Sequence, residues 1–401
     1  MTPELARRNI RLLMLFNFFE DFLPYSVFAI LIFAEIGGSF TAGAAAFSVT
    51  MLTKVIFEVP TGIVSDLVGR KGTMVLGAAF SAAGMVCYVF AQDAGLLFIG
   101  SALGGISTAF YSGNNEAFLY DTLTEAGRED EYRDVSGRTS SMFQAAGAVS
   151  AVTGGLMAAT LGYRAVLIAT VFPQIACVFV ALLMTNPRRH VTDQKPFAHL
   201  RESAALIWHN PRLLALTAGN VTRFAFGEVG FQMRSAFVER LWPLWAIGLM
   251  RAASNVLAAF SFYFAGRIIR RFGERRILIG GIVFTNAIDV VWITFAGVLS
   301  PLVMGLNSVF FGAITVSSGS LIQREFSAQH RATMGSVGSL AGSFLFAVVS
   351  VGFGAITDRI SADAALMFAV IGAMTSAYWY RKALGHAGAP ISSSSASSDP
   401  Q

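Results

Sequence analysis

The stretch Gly62-Ile63-Val64-Ser65-Asp66-Leu67-Val68-Gly69-Arg70-Lys71 reads as a compact charged loop, with two glycines, between two long apolar segments. Its pattern is G-x-x-x-D-x-x-G-R-K, preceded by Glu58-Val59-Pro60-Thr61. Glycine permits a tight reversal, Asp66 can cap or pair locally, and Arg70 and Lys71 hold such a loop on the cytoplasmic side of a bilayer. The rest of the chain agrees. Its 401 residues are 54% hydrophobic and 13% charged, with a mean hydropathy of +0.60, more apolar surface than soluble domains can hide. The sequence is that of an all-α membrane protein whose partner is the lipid bilayer.

Apolar stretches of about 20 residues recur along almost the whole length, which suits a hydrocarbon core of about 30 Å crossed at about 1.5 Å per residue. Twelve spans are expected, over 12–34, 42–65, 72–92, 96–120, 138–159, 164–185, 211–237, 242–269, 275–298, 301–322, 332–355 and 363–380. All should be helices, because lipid offers backbone groups no other partner. On this map the great majority of arginines and lysines fall on one side, among them Arg7, Arg8, Arg11, Arg70, Lys71, Arg188, Arg270 and Arg381. Arg164, Arg240 and Arg359 fall on the other. The asymmetry predicts both termini in the cytoplasm of a cell membrane, the inner one in a bacterium. The net charge of +5 and the pI near 9.4 therefore reflect topology, and nucleic acid is not an expected partner. The first segment follows Arg7 and Arg8 as a signal peptide would, but it is too long, contains Glu20 and Asp21, and has no small-residue cleavage site, so it is expected to be retained. Cys87 and Cys177 lie inside spans and read as packing residues.

The longest polar interruption, 186–210, divides the spans six and six. The expected organisation is a bundle over 1–185, a cytoplasmic linker over 186–210, a second bundle over 211–382 and a Ser-rich disordered tail over 383–401. A second loop, Gly266 to Arg276, repeats the first. Gly62 matches Gly266 and Gly69 matches Gly273, while Asp66 is replaced by Arg270 and Arg70 by Glu274, so the signs are swapped.

These loops resemble the signature of the major facilitator superfamily, in which such a loop links the second and third membrane helices on the cytoplasmic side. All five defining positions, Gly62, Asp66, Gly69, Arg70 and Lys71, match in the first loop. The resemblance implies twelve transmembrane helices in two six-helix bundles, built from nested three-helix units around a central cavity near mid-membrane. It also implies that the first, fourth, seventh and tenth helices line the cavity and that the third, sixth, ninth and twelfth lie outside it. Two departures weaken an antiporter assignment within the family. The fourth span has no arginine ahead of Gly104-Gly105, and Ser150-Ala151 stands where antiporters carry Gly-Pro ahead of Gly154-Gly155.

Function belongs where polar groups are expensive, because a charge at the bilayer centre costs about 2.5–3.5 kcal/mol on insertion scales. In the first span Asn17, Glu20, Asp21 and Pro24 sit together, and a rise of about 1.5 Å per residue puts Asp21 about 13 Å from Leu12, close to the midplane. Asn17 and Asp21 share a face, with Glu20 about 100° round the helix. Carboxylates so placed can load and release protons, which makes Asp21 and Glu20 the candidates for proton or cation coupling; the alternative is that each pairs with a cation on a neighbouring helix. Lys54 and Glu58 are spaced to pair with each other, and Lys54 is equally placed to neutralise Asp21. Arg223, Arg251 and Asp289 come out near mid-depth, with Glu228 and Arg234 further outward. The resemblance favours Asp21 and Arg223 as functional and Asp289 as a structural partner of Arg251. It also makes Asp121, at the end of the fourth span, a gating latch with Arg70, whereas Glu116, one turn deeper, is a candidate to face substrate.

No phosphate loop argues for ATP as the energy source, neither H-E-x-x-H nor G-x-S-x-G occurs, and the five histidines have no metal-ligand spacing. An enzyme, a metal site and a cofactor are not expected. The expectation is a monomeric secondary transporter working by alternating access, with protons and a small molecule as its partners. The leading form is proton-coupled efflux of an amphipathic cationic or zwitterionic compound. The alternative is a proton symporter importing an anionic or zwitterionic nutrient through Arg223 and Arg251. A receptor or scaffold that moves nothing is the remaining class.

Overall fold

The computed structural model describes residues 1–188, 204–324 and 331–385, so most of the expected linker and almost all of the Ser-rich tail lie outside the described residues. Among the described residues there is no strand. Polar caps set where helices begin. Thr2 accepts from the Leu5 amide before α1 (Pro3–Asp21), and Ser39 does the same for α3 (Phe40–Phe90). Asp93 accepts from the Gly95 and Leu96 amides before α4 (Ala94–Tyr111), and Asn210 with Pro211 starts α8 (Pro211–Val238), as helix N-termini require. The remaining elements are α2 (Ala29–Gly37), α5 (Asn114–Glu125), α6 (Tyr132–Leu161), α7 (Tyr163–Leu183), α9 (Leu244–Phe272), α10 (Glu274–Thr294), α11 (Ser300–Gly305), α12 (Ser308–Arg324), α13 (Arg331–Arg359) and α14 (Ala362–Gly385).

Several expected spans are not continuous helices. The first stops at Asp21, because Pro24 opens a short 3-10 turn (Pro24–Phe28) that separates α1 from α2. The fourth is interrupted at Ser112-Gly113, where Gly113 has φ 70°, and the tenth between α11 and α12. The opposite correction holds for Gly62 to Lys71. Residues 62–68 continue the helix, and the reversal expected of a ten-residue loop is made by Gly69 alone, at φ 75° and ψ 170°, a conformation essentially restricted to glycine. Gly62 serves no turn.

Among the described residues, ten helical stretches are long and apolar enough to cross a membrane. The stretch Phe40–Phe90 is counted once among them although it covers two expected spans, and α8, with Arg212, Arg223, Glu228 and Arg234, is not among them.

The packing has a polarity along the bundle. At the end that carries both Met1 and the last turn of α14, two separate cores form. One joins Leu13, Phe16, Met74, Phe118 and Met184 of α1–α7, and the other joins Leu216, Ile277, Leu278, Ile314 and Tyr380 of α8–α14. At the far end a single core runs through both halves, with Phe28, Phe33 and Tyr88 alongside Phe237, Trp292 and Phe353.

Hydrogen bonds and close backbone contacts between the halves follow the same division. Asp358 of α13 accepts from the Phe40 and Thr41 amides at 2.8 Å each and from the Thr41 hydroxyl at 2.6 Å, capping α3 across the interface. Ser48 donates to the Ala347 carbonyl at 2.7 Å and Ser350 to the Ala44 carbonyl at 3.2 Å. A Cβ at Gly155 of α6 would lie 3.1 Å from Gly248 Cα of α9, the close backbone approach that small residues allow in membranes. Among the described residues, every hydrogen bond between the halves lies toward the far end.

Candidate functional site

Where the halves meet, a cavity of about 290 Å³ opens between them. Its charged wall is made by Asp21 from the end of α1, Glu228 of α8 and Arg251 of α9, with Gln232, Asn255 and Phe231 beside them. The break after Asp21 is what places that carboxylate. With the helix stopped at Pro24, Gln174 of α7 donates to the freed carbonyls of Phe19 and Glu20 at 3.1 and 3.3 Å, supplying partners that a buried helix end needs. The Asp21 side chain is left on the cavity with no hydrogen bond from any described side chain.

Glu20 faces elsewhere. It accepts from the Asn115 amide of α5 at 2.9 Å, and Asn17 meets the same Asn115 at 3.4 Å while donating to the Thr139 carbonyl at 3.4 Å. Asn17 therefore groups with Glu20 against α5 and α6, rather than with Asp21, and does not line the cavity. The carboxamides of Asn115 and Gln174, which hold the α1 end in place, carry no motif that would have singled them out.

The two arginines of mid-depth part company. Arg251 lines the cavity, its guanidinium carbon 3.3 Å from the centre of the Phe231 ring. Arg223 does not line it and instead lies against Tyr380 of α14. Arg251 is not the partner of Asp289. That role belongs to Arg234, at 3.4 Å, with Trp292 donating to the same carboxylate at 2.8 Å and Asn307 also bound to it. Lys54 forms an ion pair within 4 Å with neither Glu58 nor Asp21 among the described residues, and neither Lys54 nor Glu58 lines the cavity.

The expected pairing of Arg70 with Asp121 is present. Arg70 Nε lies 3.0 Å from Asp121 Oδ2, with the Asp121 side chain 9% exposed. Two asparagines that sequence reasoning passed over complete it. Asn114 donates to the Arg70 carbonyl at 3.1 Å, and Asn186 accepts from the Lys71 amide at 3.1 Å, its carboxamide filling the space that a side chain at Gly69 would need. Asp66 is exposed on α3. Glu116 is not in the central cavity. It lines a second, more open pocket of about 590 Å³ together with Arg70, Asp121, Tyr120 and Tyr132.

A helical, multi-pass membrane protein, with a charged cavity enclosed between two packed halves that meet at one end, has the architecture of a transporter. The comparison with known proteins identifies the group. A family model of the Major Facilitator Superfamily matches residues 11–348, and the chain belongs to that superfamily. It is 24% identical over 332 residues to the multidrug resistance protein MdtG of Escherichia coli, covering 77% of this chain and 78% of that one. In structure it resembles the nucleoside transporter NupG, with a TM-score of 0.78 at 12% identity over 94% of this chain and 100% of that chain. It also resembles an auto-inhibited POT family peptide transporter, with a TM-score of 0.73 at 13% identity, covering 98% of this chain and 99% of the other. At these identities the two structures speak for the fold.

Proposed function

We propose that the chain crosses the membrane twelve times as two six-helix bundles with cytoplasmic termini, and acts by alternating access as a proton-coupled exporter of a small amphipathic cationic or zwitterionic molecule. The twelve crossings are the ten apolar stretches with the Phe40–Phe90 pair divided at Gly69 and with α8 added, whose charges face the cavity, Tyr380 and Asp289 rather than lipid. The observation that carries the reading is the packing division. One shared core seals the far end, while separate cores at the terminus end leave each bundle able to move as a body.

Asp21 takes the coupling role, as a carboxylate on the cavity without a partner among the described side chains. Glu20, held by Asn115, supports the α1 end behind it. Arg70, Asp121, Asp66 and the Gly69 break form the cytoplasmic gate. The likeness to a multidrug resistance protein favours export. Import of an anionic or zwitterionic nutrient is the second reading, and it is favoured by Arg251 on the cavity wall.

The test is retention of a panel of cationic, zwitterionic and anionic fluorescent compounds in bacterial cells lacking their own exporters, with wild type or Asp21→Asn, with and without a protonophore. Lower retention that requires both Asp21 and the proton gradient is the expected result. Higher retention with the same dependences reverses the direction, and equal retention throughout removes the reading.

A further inference from the structure

The cavity holds opposite charges that do not pair. Two other opposite-charge pairs in the bundle do close, Arg70 with Asp121 at 3.0 Å and Arg234 with Asp289 at 3.4 Å. Arg251 and Glu228 share the cavity wall without an ion pair within 4 Å. The ring of Phe231 explains how they stay apart. It covers one face of the Arg251 guanidinium at 3.3 Å, a stacking that fixes the planar group and leaves its N–H edge without an acceptor among the described residues. Glu228 lies three residues before Phe231 on the same helix face, and its one hydrogen bond among the described residues comes from Gln232 at 3.4 Å. The Gln232 Oε1 is itself a buried acceptor without a donor. Asp21 lies on the same cavity, from the other half.

We infer that this cavity selects molecules that carry both an acidic and a basic group, the acidic group held by Arg251 and the basic one by Glu228, Asp21 and the Gln232 carbonyl. The inference rests on the transport reading of the cavity and narrows its substrate class. Unpaired charges in a membrane interior are costly and persist where something completes them. A zwitterion supplies an acceptor for the guanidinium fork and a donor for the carboxylates at once. A simple cation leaves Arg251 unanswered, and a simple anion leaves Glu228 and Asp21 unanswered. Phe47 and Phe143 provide an apolar wall for the body of the molecule, and 290 Å³ suits a small one, near the lower bound of roughly 300 Å³ for ligand pockets.

The test is equilibrium binding to the protein in nanodiscs, without a proton gradient, of three fluorescent probes. They are naphthylalanine, its methyl ester, which keeps only the cation, and its N-acetyl derivative, which keeps only the anion. Wild type should bind naphthylalanine at least about tenfold more tightly than either, because a site built around hydrogen-bonded groups rejects analogues that lack them. Arg251→Gln should remove the preference over the methyl ester, and Glu228→Gln the preference over the N-acetyl form. Arg251→Lys, which keeps the charge and loses the planar fork, should fall between. Binding of none of the three, a wild-type preference for the ester or the N-acetyl form, or a zwitterion preference unchanged in both neutral variants overturns the inference. Transport is read separately: proton-driven flux of the methyl ester without any zwitterion preference leaves the transporter reading standing and removes only this one. A zwitterion preference without flux does the reverse.

Discussion

The two halves carry the same backbone device with different chemistry. Gly69 and Gly273 both break a helix at positive φ, 75° and 81°, and each is followed at once by the first residues of the next helix. In the first half the residue after the break is Arg70, which pairs with Asp121 and is braced by Asn114 and Asn186. In the second it is Glu274, which accepts from the Ser320 hydroxyl at 3.2 Å and is flanked in the chain by Arg267, Arg270, Arg271, Arg275 and Arg276, all exposed. The glycine geometry is therefore what the duplication preserves. The charge pattern is specialised, with a partly buried ion pair and a filled break in the first half and an open basic edge in the second.

The largest effect should come from breaking the pair that the first half owns. Arg70→Ala leaves Asp121 in a site where its side chain is 9% exposed. Removing one partner of a buried pair costs about 3–5 kcal/mol, and about 3 kcal/mol, the lower end, applies here because Arg70 is itself 22% exposed. Thermal unfolding of the purified protein checks this, and Arg70→Ala combined with Asp121→Asn should recover most of the loss. Next come the glycines. A side chain at either position forces a strained backbone worth about 1–3 kcal/mol. Gly69→Ala should be the more damaging, because its Cβ also collides with Asn186, whereas a Cβ at Gly273 meets nothing within 4 Å. Equal losses would show that Asn186 gives way freely.

A smaller effect is expected at the far end. Asp358→Ala removes the cap on α3, worth about 0.5–2 kcal/mol, from a contact that exists only while the halves are joined there. It should loosen the far end, seen as faster thiol labelling of a cysteine placed at Thr41, without lowering the yield of folded protein. Smallest of all, Arg271→Gln or Arg275→Gln in the open basic edge should change stability by less than about 0.5 kcal/mol. A loss as large as that of Arg70→Ala would contradict the contrast between the two loops.

Much of this was legible in the sequence because the signals are local. The duplicated glycine spacing located both breaks, apolar length located the helices, and the family resemblance joined Arg70 of the loop to Asp121 at the end of the fourth span. What escaped depends on helix rotation and on interruptions. Pro24 was visible, but its consequence, that α1 ends at Asp21 and turns that side chain to the cavity while Asn17 and Glu20 go to Asn115, needs the tertiary position of α5 and α7. Depth alone put Arg223 and Arg251 on equal terms. Which faced the cavity was decided by the packing of Tyr380 and Phe231, residues more than a hundred positions apart in the chain from one arginine and twenty from the other. In sequence Asn186 reads as the start of a linker, whereas its service to Gly69 crosses the whole first half.

The claim at the centre of the account is that the halves rock about the cavity, closing one end as they open the other. It is tested most directly by spin-label distances in nanodiscs, between Glu35 and Ile360 at the far end and between Leu67 and Arg271 at the terminus end, all exposed positions. These should be measured at neutral and acidic pH for wild type and Asp21→Asn. The account predicts that in wild type the two distances change in opposite directions with pH, one lengthening as the other shortens, and that Asp21→Asn loses that response. Distances that stay fixed at both ends, or that lengthen together, would contradict it.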